Sequence, residues 1–398
     1  MAQRVSSGDD SAVGQVLDGQ FRLEELIGAG SMARVYRAHQ LGVGRDVALK
    51  RLRREHLGRA DVVARFRNEA ALTARLFHPH VVSVHAVSPN WDLDAPDREP
   101  YVVLEWLNGP SLAEALRNAG GRFPLERALH IVLALSDAVG EAHSQGLVHR
   151  DLKPENVLLV RRGDDADFVK LLDFGLAKAL DESVDGRTRA GSVLGTPRYV
   201  SPEGAEGQAA TRASDCYALA TILYECLVGR TPFEAESAVA LLAMQATAPP
   251  PDVRSWEATR ELPAPIAEHI MQNLDKRPAA RSANARVFGR ELAQRARQAG
   301  LDAIEIGIAP TLFGTVRSTA IAPARIETQT QTRAVVASPA PSAPAAEPPL
   351  VPASEPRRSP RRSWRPLGLI AACFVVGALA AALIASTAEQ KPPSGGAP

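Results

Sequence analysis

Four polar residues in the middle of the chain have the types and spacing needed to bind a metal ion and orient a hydroxyl group. Asp151, Lys153 and Asn156 lie in the run HRDLKPEN, and Asp173 opens the tripeptide DFG further along the chain. Asn and Asp side chains supply the hard oxygen ligands that Mg²⁺ prefers. The other carboxylate is then free to orient an attacking hydroxyl, as phosphoryl transfer requires. A single Asp is usually a turn residue, whereas this whole combination predicts a catalytic site.

A glycine-rich stretch near the start of the chain is the second candidate element. Gly28, Gly30 and Ala33 lie in IGAGSMARVY, where glycines let backbone N–H groups approach a polyphosphate closely and Val35 could pack against a base. Glycine-rich hairpins are common, so the stretch alone does not identify a nucleotide site. Lys50, in the next apolar run VALK, could reach the same phosphates and strengthens that interpretation.

The periodicity of apolar residues predicts the elements that position these side chains. Predicted strands occupy 21–38, 45–52, 81–87 and 101–106, with one helix at 60–77 among them. The remainder is mostly helical, with helices predicted at 125–144, 212–228 and 284–298 and two short strands at 157–160 and 169–172. The predicted fold class is therefore α+β, with a small sheet-rich part followed by a helical part.

The order and spacing of these motifs resemble the Hanks-type, or eukaryotic-like, serine/threonine protein kinases, especially their bacterial membrane-anchored members. The resemblance runs from residue 21 to residue 298. It implies a bilobal kinase fold, with a β-rich N-lobe at 21–106 and a mostly helical C-lobe at 107–298.

By that resemblance, the glycine-rich stretch covers the phosphates of ATP. Lys50 contacts the α- and β-phosphates, counts among the catalytic residues and pairs with Glu69. Leu104 takes the gatekeeper position, and the backbone of Glu105 and Leu107 hydrogen-bonds adenine. The full set of implied ATP-binding residues is Ile27, Gly28, Ala29, Gly30, Ser31, Met32, Ala33, Val35, Ala48, Lys50, Glu69, Leu104, Glu105, Leu107 and Asp173.

The resemblance also assigns the catalytic roles. Asp151 accepts or orients the proton of the acceptor hydroxyl, and Lys153 steadies the γ-phosphate. Asn156 and Asp173 bind Mg²⁺, with Mn²⁺ as a substitute. Lys153 in DLKPEN and Thr196 in GTPRYVSPE resemble kinases that act on Ser and Thr of protein substrates rather than on Tyr.

Three further residues are expected to hold the catalytic lobe together. Glu203 pairs with Arg281, and Asp215 braces the catalytic loop. The sequence departs from the family pattern in having SPE for the commoner APE and Ala220 where the helix usually has Gly. Ala33 in place of the third glycine is expected to stiffen the phosphate-covering loop and to weaken ATP binding modestly.

Activation-segment phosphorylation is expected from the residue before Asp151. Family members with an Arg at that position, Arg150 here, often require a phosphate that neutralises it. Thr188 is the predicted main phosphosite and Ser192 the second, because a dianion there could pair with Arg150.

A run of apolar residues near the C-terminus predicts one transmembrane helix at 367–386, rather than a buried core helix, because no amphipathic partner follows it. Five arginines precede it and only one lysine follows, which places the N-terminal bulk in the cytoplasm and the chain in the cytoplasmic (inner) membrane as a single-pass protein. Small residues at Gly377, Ala381 and Ala385 would allow a homodimer, although alanine-rich spans show that spacing by chance.

The remaining segments and the composition complete the predicted organisation. Residues 1–20 are expected to be a flexible leader, 299–366 a Thr- then Pro/Ala/Arg-rich disordered juxtamembrane linker, and 387–398 a short extracytoplasmic tail. The formal net charge of +1 argues against a nucleic-acid partner. The three cysteines form no CxxC pair, which argues against a disulfide framework or a zinc site.

Two other functions compete with a Mg-ATP-dependent protein kinase. A pseudokinase scaffold would bind nucleotide and partners without transferring phosphate. Such a protein would be expected to have lost at least one of five residues, and all five are present: Lys50, Glu69, Asp151, Asn156 and Asp173. A small-molecule phosphotransferase is less consistent with the SPE segment, which is a protein-substrate feature of the family.

Overall fold

Six antiparallel strands form one sheet in the first part of the computed structural model, which describes residues 11–89, 91, 99–173 and 197–301. In chain order they are β1 (Val16–Leu17), β2 (Phe21–Ala29), β3 (Ala33–Gln40), β4 (Arg45–Leu52), β5 (Val84–Val87) and β6 (Tyr101–Glu105). The order across the sheet is β1-β2-β3-β4-β6-β5. Most strands lie beside their neighbours in sequence, and only β6 is inserted between β4 and β5.

The pairing of β3 with β4 decides which way Lys50 points. Their register runs without interruption from Ala33 opposite Leu52 to Gln40 opposite Arg45. Val47 and Leu49 are buried on one face of β4. Because successive side chains of a strand point to opposite faces, Lys50 lies on the other face.

Helix α1 (Ala60–Thr73) packs beside the sheet and carries the acidic partner of that lysine. Phe66 is buried in a cluster with Leu52 and Val102. Glu69 follows Phe66 by three residues and therefore projects from the same side of the helix. The burial of Phe66 thus turns Glu69 toward β4.

The second part of the fold is mainly helical and surrounds a two-stranded hairpin. Its helices are α2 (Leu112–Asn118), α3 (Leu125–Ser144), α4 (Pro202–Ala205), α5 (Arg212–Val228), α6 (Ala238–Thr247), α7 (Ala264–Asn273) and α8 (Ala285–Gln298). The hairpin strands are β7 (Val157–Arg162) and β8 (Asp165–Leu171). The predicted α+β architecture of a strand-rich lobe and a helical lobe is confirmed.

Helix α5 lies at the centre of this helical lobe. Almost its whole surface is buried, which explains why its sequence is apolar around the full circumference. Helix α3 packs against α5 and against α8. Gly289 of α8 allows that second contact, because a Cβ atom there would lie 2.4 Å from the Ser136 hydroxyl oxygen of α3.

The β7–β8 hairpin sets the positions of two predicted metal ligands. Val157 pairs with Leu171, so Asn156 precedes β7 at the same end of the hairpin where Asp173 follows β8. The Leu172 N–H donates to the Asn156 carbonyl at 2.8 Å. This backbone bond fixes Asn156 and Asp173 close together.

The predicted flexible leader over 1–20 needs a correction in its second half. Ala12 is buried in the core of the sheet, and β1 pairs with β2 through Leu17 opposite Phe21. The short alternation around Val16 is too brief to stand out as a strand in sequence, and it is stabilised by pairing with the edge of β2. Residues 1–10 lie outside the described residues.

Two predicted elements have different bounds in the structure. Helix α1 ends at Thr73 rather than at residue 77, six residues before Pro79, which disfavours helix at the preceding His78. The strand expected at 81–87 begins only at Val84. Helices α6 and α7 were not predicted, because each has only ten residues and α6 is apolar on nearly every side.

The first residues of the predicted linker belong to the helical lobe instead, since Ala299 and Leu301 pack against its core. The rest of the predicted linker, from residue 302, and the predicted transmembrane helix and tail lie outside the described residues. Within 11–89, 91, 99–173 and 197–301, no helix combines the length and apolar character needed to cross a membrane.

A buried histidine of α7 makes the fold sensitive to acid. His269 is fully buried and its ring centroid lies 4.7 Å from that of Phe288. Burial, with a smaller contribution from the Arg295 charge, lowers its pKa to about 3. The unfolded chain takes up a proton at this residue below about pH 6.5 and the folded chain does not, so stability falls as pH drops from 6.5 toward 3.

We therefore expect His269→Leu to reduce the acid sensitivity of folding. At pH 5.5 the wild-type protein should have lost about 1.3 kcal/mol through this residue relative to pH 7. Urea unfolding at both pH values, on wild type and variant, measures the difference. Equal losses in the two proteins would contradict this assignment.

Candidate active site

The loop before β7 brings three predicted catalytic residues into direct contact. The Lys153 ammonium lies 2.6 Å from the Asp151 carboxylate. The Asn156 side-chain amide donates to the Asp151 carbonyl at 2.8 Å and to its carboxylate at 3.2 Å. Leu152 is buried in the helical core and anchors the loop between them. Asp151 is thus held from both sides, while about a fifth of its side chain remains open to solvent.

Asp215 of α5 supports this loop from beneath. Its buried carboxylate accepts the backbone N–H of His149 at 2.8 Å and that of Arg150 at 3.1 Å. Arg150 has a positive φ of 67°, a conformation that costs free energy in a residue other than glycine. The two hydrogen bonds that the backbone donates to Asp215 hold that conformation and hence fix the direction of Asp151.

His143 extends the support to helix α8. Its Nδ1 accepts the N–H of Ala285 at 3.1 Å, and its Nε2 lies 2.8 Å from the Asp215 carboxylate. A nitrogen that accepts carries no proton, so the ring is the neutral tautomer with its proton on Nε2, which donates to Asp215. This histidine was not predicted as a site residue, and its position in the middle of the EAHSQG run gave no signal.

Lys50 joins the strand-rich lobe to Asp173. Its ammonium lies 2.8 Å from Glu69 and 2.7 Å from Asp173. The lysine and Glu69 are nearly buried, whereas about half of the Asp173 side chain is open to solvent. The arrangement places a cation between two carboxylates at the edge of the cleft.

The ionisation of these three groups follows from their mutual contacts. Burial disfavours the ammonium of Lys50, but the charges of Asp173 and Glu69 outweigh it and its pKa is raised. Removal from water raises the pKa of Glu69 despite the nearby lysine. For Asp173 the loss of water is outweighed by Lys50, and its pKa is lowered. Asp173 is therefore ionised and able to bind a cation at neutral pH.

The glycine-rich stretch forms the turn between β2 and β3. Ile27, Gly28 and Ala29 end β2, and Ala33 and Val35 lie on β3. The Gly30 N–H closes the turn on the Ala33 carbonyl at 2.9 Å. Ala33 is buried in a cluster with Leu52 and Phe66, so its methyl group packs against the lobe.

Two contacts hold the tip of this turn. The Met32 carbonyl accepts the Arg53 N–H at 3.0 Å, and the Ser31 carbonyl lies 3.0 Å from Nε2 of His56. The turn is therefore tied to the segment after β4, the strand that carries Lys50.

The connection between the lobes begins at β6. Ala48 pairs with Leu104, so both flank the cleft beside Lys50. The Glu105 N–H donates to the Ser83 carbonyl at 3.0 Å. Since this N–H is already hydrogen-bonded, the Glu105 backbone would contact adenine through the Glu105 carbonyl. Leu107 follows β6 in the extended connection to α2.

The donor set around Asn156 and Asp173 fits a magnesium ion that also binds substrate phosphates. Among the described residues, no group of three or more His, Cys, Asp and Glu side chains is arranged to hold a metal ion. Magnesium keeps several waters and takes one or two protein ligands together with phosphate oxygens. One amide and one carboxylate are sufficient for such a site.

Comparison with known proteins decides the family. Residues 21–292 match the protein kinase domain. The chain belongs to the protein kinase domain family. This membership implies the use of ATP and a divalent metal ion, and the bilobal fold agrees with it.

Bacterial relatives of this chain include Serine/threonine-protein kinase pkn3 of Myxococcus xanthus, 41% identical over 71% of this chain and 51% of the relative. PrkC of Bacillus subtilis is 36% identical over 67% of this chain and 39% of its own length. PknA of Mycobacterium tuberculosis is 38% identical over 68% of this chain and 59% of its own length. The chain thus spans between 39% and 59% of the length of these relatives. The solved PknI kinase domain of Mycobacterium tuberculosis has a TM-score of 0.55 and 25% identity, covering 72% of this chain and 100% of that one.

The predicted Glu203–Arg281 pair is present and buried. The guanidinium donates to the two carboxylate oxygens at 3.0 and 2.9 Å. The same arginine donates to the backbone carbonyls of Asp275, Lys276 and Ala213. Burial would raise the pKa of Glu203, but the hydrogen bonds from Arg281 and Ser214 outweigh it and lower the pKa.

The structure adds an ion pair between the interlobe connection and β8 that sequence reasoning missed. The Lys170 ammonium lies 2.6 Å from the Glu105 carboxylate, which also accepts the Ser83 N–H at 2.8 Å. Glu105 had been selected for its backbone alone. The predicted phosphosites Thr188 and Ser192, and Thr196, lie outside the described residues.

We expect Glu69→Gln to lower kcat/KM for ATP about thirtyfold, because the uncharged amide keeps a hydrogen bond to Lys50 but not its electrostatic anchor. Steady-state kinetics with varied ATP measures the change. Asp61→Asn on the same helix is the matched control, since its carboxylate pairs with arginines at an exposed position and should change the rate less than about twofold. Equal effects of the two substitutions would contradict the role of Glu69.

Proposed function

We propose that the protein transfers the γ-phosphate of ATP to Ser and Thr hydroxyls of protein substrates and to its own activation segment. The observation that carries this proposal is the meeting of two groups at one cleft: Lys50 between Glu69 and Asp173, and Asp151 between Lys153 and Asn156. The first group suits binding of the polyphosphate, and the second suits activation of an acceptor.

Each side chain has a distinct task in this mechanism. Lys50, held by Glu69, neutralises charge on the α- and β-phosphates. Asp151 accepts a hydrogen bond from the acceptor hydroxyl, aligns its oxygen and takes its proton. Lys153 reaches the Asp151 carboxylate now and would contact the γ-phosphate as charge develops there.

Magnesium, bound to Asn156 and Asp173, would supply further charge neutralisation on the phosphate oxygens. The support for magnesium is the oxygen-only donor set, and manganese fits the same ligands. The site of Asn156 is already fixed by its hydrogen bonds to Asp151.

The assignment of Ser and Thr as acceptors is supported by Lys153 in the catalytic loop and by the names of the bacterial relatives, which are serine/threonine-protein kinases. Protein substrates are supported by the SPE segment, in which Ser201 caps α4 and Glu203 pairs with Arg281.

Incubation of the full chain with γ-labelled ATP, a divalent cation and a protein acceptor tests this function. We expect label on Ser and Thr in the acceptor and in the chain itself, dependent on magnesium or manganese. Lys50→Met and Asp173→Asn should abolish both signals. Persistence of label in both variants would refute the site assignment, and nucleotide binding without any transfer by the wild type would favour a scaffold.

Membrane attachment, regulation and assembly are part of the same proposal and are supported by the sequence. The span 367–386 would anchor the chain in the cytoplasmic membrane, with 299–366 as a linker to the kinase domain on the cytoplasmic side. Phosphate on Thr188 or Ser192 would pair with Arg150, and the small residues of the span would allow a homodimer. Membrane fractionation with and without residues 367–386 tests the anchor.

A further inference from the structure

Helix α6 contains one fully buried polar side chain in an otherwise apolar sequence. Of its ten residues only Leu241 and Gln245 are buried. A buried amide must be hydrogen-bonded, because leaving it without partners in a dry environment is costly. The Tyr217 hydroxyl of α5 donates to its oxygen, and its nitrogen donates to the Arg198 carbonyl at 2.8 Å. The single buried polar group of α6 is thus bonded to the backbone of residues 197–200.

Residues 197–200 and the catalytic loop are both held by helix α5, the segment through Glu225 and the loop through Asp215. The Tyr199 hydroxyl donates to Glu225 of α5 at 2.7 Å. Burial and the Glu225 charge raise the pKa of Tyr199, and Glu155, the neighbour of Asn156, contributes as well. Arg198 is exposed and Tyr199 half-buried. The segment therefore presents side chains to solvent next to the loop that carries Asp151, where an acceptor protein must approach.

Lys276 fixes the same turn of α6 from the other side. Its ammonium donates to the Gln245 carbonyl at 2.7 Å and lies 4.4 Å from the ring centroid of Phe233. Carbonyl groups at a helix C-terminus lack partners within the helix and favour a cation. Burial, aided by the Arg281 charge, lowers the pKa of this lysine to about 8. The Lys276 contact leaves the Gln245 side chain little freedom to move away from Arg198.

We propose that Gln245 is a positioning residue that holds residues 197–200 in place for binding of the protein acceptor. This inference rests on the proposed kinase function. The hydrogen bond that Gln245 donates to the Arg198 carbonyl fixes the position of residues 197–200 relative to Asp151. ATP, which contacts the other side of the cleft, is not affected by it. Gln245 therefore influences KM for the acceptor and not KM for ATP.

Gln245→Met in the full chain tests this role, because it keeps the length of the side chain and removes both hydrogen bonds. We expect KM for a protein acceptor to rise about tenfold, with KM for ATP within about twofold of wild type. Amide hydrogen exchange of residues 198–200 should also become faster in the absence of any acceptor. The exchange measurement does not depend on catalytic turnover, so it separates this inference from the proposed function.

Asn273→Leu is the matched control. Asn273 is an equally buried amide on α7 that donates to the His269 carbonyl and accepts the Ser282 N–H, away from residues 197–200. Asn273→Leu should destabilise the helical lobe without changing KM for the acceptor, KM for ATP or the amide hydrogen exchange of residues 198–200. If Gln245→Met does not fold, Gln245→Glu replaces it, since a carboxylate still accepts from Tyr217 and cannot donate to Arg198. Unchanged exchange and acceptor KM at position 245, or equal changes in the Asn273 control, would overturn the proposal.

Discussion

Replacing Asp151 with Asn is expected to lower kcat about a thousandfold while KM for ATP changes little. The carboxylate is fixed by Lys153 at 2.6 Å and Asn156 at 3.2 Å and is still partly open to solvent. An amide at this position can still accept a hydrogen bond from a hydroxyl, but it cannot take the proton. The loss therefore falls on the chemical step and not on nucleotide binding.

Asp165→Asn provides the control for that result. Asp165 pairs with His130 at 3.2 Å at the far end of the β7–β8 hairpin. The substitution therefore removes a carboxylate from the same lobe without contacting the catalytic loop. Its kcat should stay within about twofold of wild type. Steady-state rates of acceptor phosphorylation at saturating ATP give both numbers. An Asp151→Asn enzyme that retains a tenth of wild-type kcat would rule out the proposed proton acceptor.

Replacing Arg281 with Met is expected to lower the free energy of unfolding by about 3–5 kcal/mol. The substitution leaves the Glu203 carboxylate buried without its partner, since both groups of the pair are almost inaccessible to solvent. It also removes donors from three backbone carbonyls, which belong to Asp275, Lys276 and Ala213. Urea unfolding monitored by circular dichroism measures the change.

Two further variants distinguish the effect of burying the ion pair from the effect of its charge. Arg295→Met breaks an exposed pair with Glu268 and should cost less than about 1 kcal/mol. Adding Glu203→Gln to Arg281→Met removes the unpaired charge and should restore part of the lost stability. A loss in Arg281→Met no larger than in Arg295→Met would contradict the structural role of the buried pair.

Much of the catalytic loop could be anticipated because its members are close in sequence. Asp151, Lys153 and Asn156 lie within six residues, so a single turn is enough to bring them together. The pairing of Lys50 with Glu69 and Asp173 is different, because it depends on strand register and helix rotation. The contact with Glu69 was expected only from the family resemblance, and the contact with Asp173 was not predicted. The alternation of β4 and the burial of Phe66 now supply the physical cause of the Glu69 pair.

Other features could not be predicted because their signal is in the tertiary packing. His143 is one of several polar residues of α3, and Gln245 is the one buried polar residue of α6. No local pattern distinguishes a supporting residue from a tolerated one. The strand β1 has two residues, too few for periodicity, and is defined by its pairing with β2. Lys170 continues an ordinary strand, and its partners, the Val81 carbonyl and the Glu105 carboxylate, lie far from it in sequence.

The most direct test of the central claim is the number of phosphate groups that one molecule of the full chain transfers to a separate protein acceptor, with nucleotide binding measured in the same sample. We predict many transfers per chain onto Ser and Thr residues, at a site that binds Mg-ATP stoichiometrically. Stoichiometric binding with less than one transfer per chain would contradict the account and identify the protein as a nucleotide-binding scaffold.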